Sequence, residues 1–137
     1  MLKRPQYWVA TRDKSEYDRR TMYLIYKRNL RLPFMEVFDG PDMMSSCARR
    51  EQSTHAPQAL ELLNGDLANQ QAEVFAKRLA AEAGPDPRRQ VDLAYRLVAG
   101  RPPQIKEMQQ SVEFLKTQSP REFALAMLNL NAFLYVN

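Results

Sequence analysis

Apolar residues recur at helical spacing through the last third of the chain. Val91, Ala94, Tyr95 and Val98 share one face. Ile105, Met108, Val112 and Leu115 make the next stripe, and Phe123, Ala124, Met127 and Leu128 a third. Residues three or four apart lie on one side of a helix, so each stripe predicts an amphipathic helix with a face to bury. The breaks between them carry their own signals. Gly84-Pro85-Asp86-Pro87 reads as a linker in which Asp86 caps the next helix and Pro87 takes its first position. Gly100 closes that helix, and Pro102-Pro103 prevents continuation. Ser119-Pro120-Arg121-Glu122 is a capping box with proline at the first helical position. The closing Phe133-Leu134-Tyr135-Val136 is apolar and is expected to dock.

Upstream, the pattern continues with less definition. Leu67, Ala68, Ala72, Phe75, Ala76 and Leu79 keep helical spacing, and Ala59, Leu60 and Leu63 form a shorter stripe after the helix entrance Ser53-Thr54-His55-Ala56-Pro57. Asn64-Gly65 is either a cap or a brief break before Asp66. Thr21–Tyr26 is apolar all round, and its basic flanks Arg19, Arg20, Lys27 and Arg28 favour a helix from Ser15 to Leu30, ended by Pro33. Asp39-Gly40-Pro41-Asp42 reads as a turn in which Gly40 supplies the unusual φ and Pro41 a fixed one. Met43–Gln52 shows no period and is expected to be a loop, as are residues 1–14, which Trp8 anchors. Helices that cannot hide their apolar faces alone pack together. The expected fold is all-α: an irregular bundle of about five to six helices with a long N-terminal loop region.

Composition agrees with a folded helical chain: 45% hydrophobic residues, 26% charged and four glycines among 137 residues. That length fits one domain, a basic helix plus loop over 1–50 followed by the bundle over 51–137. The charge is uneven. Residues 1–50 hold 11 Lys/Arg against 6 Asp/Glu, and residues 51–137 hold 9 against 10. This asymmetry permits an anionic partner, although a solvated basic surface is the simpler explanation. One cysteine excludes an intrachain disulfide framework. The basic start lacks an apolar run after it, so no signal peptide is read there. No stretch approaches the ~18 apolar residues of a membrane span, so no membrane insertion is expected.

Candidate chemistry concentrates between Phe38 and Gly65, which holds the lone cysteine, an arginine pair and the lone histidine. Cys47 and His55 are eight residues apart, and an imidazole within hydrogen-bond reach of a thiol would lower its pKa and make a nucleophile. No local signature surrounds either. The preferred reading is a small buried cysteine and a neutral histidine beside a helix N-terminus. Two Cys/His residues fall short of the four that a structural zinc site needs, and Asp39 and Asp42 are better explained by the turn. Phosphate-loop and dinucleotide fingerprints need more glycines than any segment has. Arg19, Arg20, Lys27, Arg28, Arg49 and Arg50 lie near Tyr17, Tyr23 and Tyr26 in sequence, a mixture suited to phosphate contacts with base stacking and equally to internal cation–π packing. Arg49 and Arg50 suit a structural role, bonding backbone carbonyls or pairing with Asp39, Asp42 or Glu51. The alternative is a clamp on a carboxylate or sulfate.

Several motifs in one order resemble a known family. They are Asp18-Arg19-Arg20, Lys27-Arg28-Asn29-Leu30, Phe38–Asp42, Ser46-Cys47-Ala48-Arg49-Arg50, Ser53–Asn64 with Pro57 in it, Tyr95-Arg96-Leu97 with Gly100-Arg101-Pro102-Pro103, and Asn131–Asn137. Together they resemble the planctomycete secreted domain also called domain of unknown function 1553. The resemblance implies the C-terminal end of a large secreted or envelope protein, following c-type cytochrome-like domains, and so a chain that is a C-terminal portion of something longer. It implies no catalytic residue. The positions Arg19, Arg20, Asp39, Cys47, Arg49, Arg50 and Pro57, with His55 beside them, mark where a shared anion site or structural knot would lie. The leading expectation is a non-catalytic accessory module that docks onto the upstream cytochrome c-like domains, with no cofactor of its own. The alternatives are the C-terminal part of an enzyme acting on anionic or sulfated polysaccharide, and a helical nucleic-acid-binding module.

Overall fold

Helices account for nearly all of the regular structure, and no strand occurs among the described residues, so the all-α expectation holds. The computed structural model describes residues 13, 21–23, 33–40 and 56–134. It divides the chain into two compact units, Met1–Thr54 and His55–Asn137.

In the first unit, Thr21–Tyr23 form a single 3-10 turn where the sequence predicted α-helix; the rest of the expected helix lies outside the described residues. Met22 and Tyr23 on this turn are exposed. The short helix α1, Pro33–Val37, is an element the sequence pattern does not predict, and Pro33 opens it; the end expected for the preceding helix lies outside the described residues. The fixed φ and missing N–H of proline suit a first helical position. Phe34 and Phe38, four residues apart, bring their rings to 4.8 Å between centroids. The turn that follows is a Schellman closure. Gly40 N donates to Met35 O at 2.6 Å, and Asp39 N donates to Glu36 O at 3.3 Å. The left-handed residue is Asp39, φ +53°, where the sequence pointed to Gly40. Aspartate tolerates this conformation because its short polar side chain bonds locally.

The second unit is the bundle. Its helices are α2 (Ala56–Asn64), α3 (Asp66–Ala83), α4 (Pro87–Ala99), α5 (Ile105–Thr117), α6 (Pro120–Leu128) and α7 (Asn131–Leu134). The predicted start and stop signals operate. Asp86 caps α4 by accepting from Arg88 N at 3.0 Å, and Gly100 ends it at φ +67°. Ser119 and Glu122 close the box on α6: Ser119 N donates to the Glu122 carboxylate at 2.9 Å, and Glu122 N donates to Ser119 Oγ at 3.3 Å. Pro57 lies in the first turn of α2, as its position in the helix entrance predicted.

The core forms where α3, α4 and α6 meet. Leu79 from α3, Val91, Ala94, Tyr95 and Val98 from α4, and Phe123 and Met127 from α6 are buried against one another. Met108, Val112 and Leu115 pack on this cluster from α5. Ile105, assigned to the same stripe, is 83% exposed. It is the first residue of its helix, and helical side chains lean towards the N-terminus, away from the turns that pack. At the chain's end, Leu134 is half-buried and Phe133 exposed; residues 135–137 lie outside the described set.

Candidate functional site

Of the residues marked for a shared anion site or structural knot, Asp39 and Pro57 fall within the described residues. Arg19, Arg20, Cys47, Arg49, Arg50 and His55 lie outside them. Asp39 serves as the left-handed closure of α1, which is a conformational role. Among the described residues, no group of three or more His, Cys, Asp or Glu side chains converges as metal ligands would, and no helix is long and apolar enough to cross a membrane.

The described bundle offers two features whose arrangement the sequence alone does not show. One is a charged clasp at the α4–α5 connection. Arg101 Nη1 and Nη2 each donate to one oxygen of Glu107 at 2.7 Å, and the guanidinium stands 5.8 Å from the centre of the buried Tyr95 ring. Glu107 Oε2 also accepts from Gln104 N at 2.7 Å, so one carboxylate holds the loop and the start of α5 together. These bonds, the Arg101 fork first and the backbone N–H second, bring the Glu107 carboxyl down to about 2. The clasp borders a cleft of about 360 Å³, closed on its other side by Asn129, Leu130 and Asn131 at the α6–α7 junction. Its signal was present: a carboxylate three residues after Gln104, just ahead of an apolar stripe, is the spacing of a helix start. What pairs with that carboxylate depends on how the Pro102-Pro103 segment turns, which spacing does not show.

The other feature is an apolar line on α2 and α3. The sequence gives Ala59, Leu60 and Leu63 an apolar stripe, yet α2 has no buried residue. Leu60 is 57% exposed and Leu63 47%. On α3, Ala72 and Leu79 are buried, whereas Leu67 and Val74, seven residues apart, share a different face and are also exposed. The two helices are fixed to each other at Gly65. Gly65 N donates to Glu61 O at 2.7 Å, and Asn69 Nδ2 reaches Leu63 O and Gly65 O. Asn129 Nδ2 on the far side of the chain donates to Leu62 O at 3.2 Å, tying α2 to the end of α6. The line is therefore held on a braced pair of helices and not on a loose arm. Leu60, Leu63, Leu67 and Val74 thus place four exposed large apolar residues on two adjoining helices.

No curated protein matches the chain, and neither does any solved structure. A family model does match, over residues 2–115: PSD1, a protein of unknown function (DUF1553). The match takes in the motifs from Asp18 to Pro103 and stops before α6, whose Phe123 and Met127 complete the core. The chain belongs to the PSD1 (DUF1553) family of proteins of unknown function.

Proposed function

We propose that this chain is a non-catalytic accessory module that acts by docking, and that its partner is a c-type cytochrome-like domain of the secreted or envelope proteins in which such chains occur. One observation supports it most: Leu60, Leu63, Leu67 and Val74 stand exposed on two helices braced against the bundle. An apolar side chain left in water forgoes about 1.5–3 kcal/mol of burial, so several on two braced helices favour a partner that covers them. Within the N-terminal unit, taken by itself, Met22 and Tyr23 are exposed as well. The cytochrome-like partner comes from the family resemblance.

Calorimetric titration of the full chain with a purified c-type cytochrome-like domain tests this. Binding by the native chain, lost in Leu60→Lys/Leu67→Lys with helicity unchanged, is expected. An absence of binding by the folded native chain overturns the reading, as does undiminished binding by the double variant.

A further inference from the structure

The C-terminal end of α3, the first turns of α4, and α5 enclose a second groove, of about 460 Å³ and open to solvent. Ala83, Leu93 and Met108 give it an apolar lining, and both Leu93 and Met108 rest on the core beneath. Four charged side chains rim it: Glu82, Asp92, Arg88 and Arg89. They are not balanced. Glu82 is occupied by Arg78, whose Nε donates to it at 2.7 Å, and Asp92 by Arg96, whose Nε donates at 2.8 Å. Asp86, just outside the groove, uses one oxygen to cap α4 and stands 3.8 Å from Arg89 Nε through the other. The Arg88 guanidinium has no ion-pair partner among the described residues. The rim therefore presents one unpaired guanidinium and one weakly paired one beside an apolar trough.

We propose that this groove binds an acidic segment of a partner protein. An apolar side chain lies against Leu93 and Met108, and the carboxylates flanking it are taken by Arg88 and Arg89. Planar guanidinium forks grip carboxylates through paired hydrogen bonds, and apolar anchors ringed by charge are the usual anatomy of a protein interface. The openness of the trough favours a stretch of chain over an enclosed small molecule. This surface uses none of Leu60, Leu63, Leu67 or Val74, so its failure leaves the docking reading of α2 and α3 standing.

The test is fluorescence anisotropy of the full chain with the fluorescein-labelled peptide Glu-Asp-Leu-Phe-Glu-Asp, beside the same peptide with lysine in place of each acid. The acidic peptide is expected to bind, with affinity that falls as sodium chloride rises. Arg88→Glu should weaken it about tenfold, while Lys77→Glu, elsewhere on α3, should not. Circular dichroism confirms that both variants fold; each changes an exposed side chain. Absence of binding, equal binding of the lysine peptide, or an unchanged affinity in Arg88→Glu overturns the proposal. So does binding of laurate, a small amphipathic carboxylate, with none of the acidic peptide.

Discussion

Arg101 and Glu107 face each other across the Pro102-Pro103 break, joined by two hydrogen bonds of 2.7 Å. Neither proline has an N–H to help hold this connection, so the side chains do it. The Glu107 carboxylate also receives Gln104 N and so fixes where α5 begins.

Replacing Glu107 with Gln should therefore destabilise the chain by about 1–2 kcal/mol, the usual size for charge-assisted hydrogen bonds at a helix start. The pH dependence has a definite sign. The folded-state carboxyl is depressed from an ordinary 4.5 to about 2. Its contribution is present above the ordinary value and is lost as pH falls through about 2. Urea unfolding of native and Glu107→Gln chains should show a gap at pH 6 that closes on acidification. A gap that stays constant to low pH would count against the clasp.

Ser119→Ala removes the hydroxyl that accepts from Glu122 N. A loss of about 1 kcal/mol is expected, since that N–H then lacks its cap. Thermal unfolding followed by circular dichroism measures it. Because α6 packs on both α3 and α4, the whole second unit should melt earlier in a single transition.

Phe123→Ala should cost about 3–5 kcal/mol, through lost burial and the cavity left between α3, α4 and α6. Leu97→Ala, on the exposed side of α4, should stay within about 0.5 kcal/mol of the native chain. Chemical denaturation of the two variants together separates core from surface on the same bundle.

Gly65→Ala tests the junction beneath the apolar line. The glycine has an ordinary φ of −63°, so backbone conformation is not what requires it. Space is: a Cβ there would collide with the Glu61 carbonyl oxygen, a backbone atom that cannot swing aside. About 1–3 kcal/mol of destabilisation is expected from the crowding, with loss of protection at Gly65 and Asn69 in amide exchange. Protection equal to that of the native chain would show that the junction yields.

Helix boundaries in the bundle were readable because their signals are local. Asp86 with Pro87, Gly100, and Ser119 with Glu122 act within a turn of their own position, and the structure uses each of them. The N-terminal reading was weaker for a physical reason. Thr21–Tyr26 is apolar on every side, so periodicity carries no information there, and the described part is a 3-10 turn. Residue type and density point to Arg49, Arg50 and Cys47 but give no role to Arg101 or Glu107, whose meeting depends on the path of the loop between them.

By itself, the order of residues determined that the chain is helical, where most bundle helices start and stop, and which family it resembles. These follow from dihedral preference, capping and spacing, all short-range. The tertiary structure decided which apolar stripes are covered. Leu79, Val91 and Phe123 are buried while Leu60 and Leu67 are not, although all read as apolar positions in helical segments. Burial depends on which helices meet, and α3 turns one face to α4 and α6 and leaves the other open.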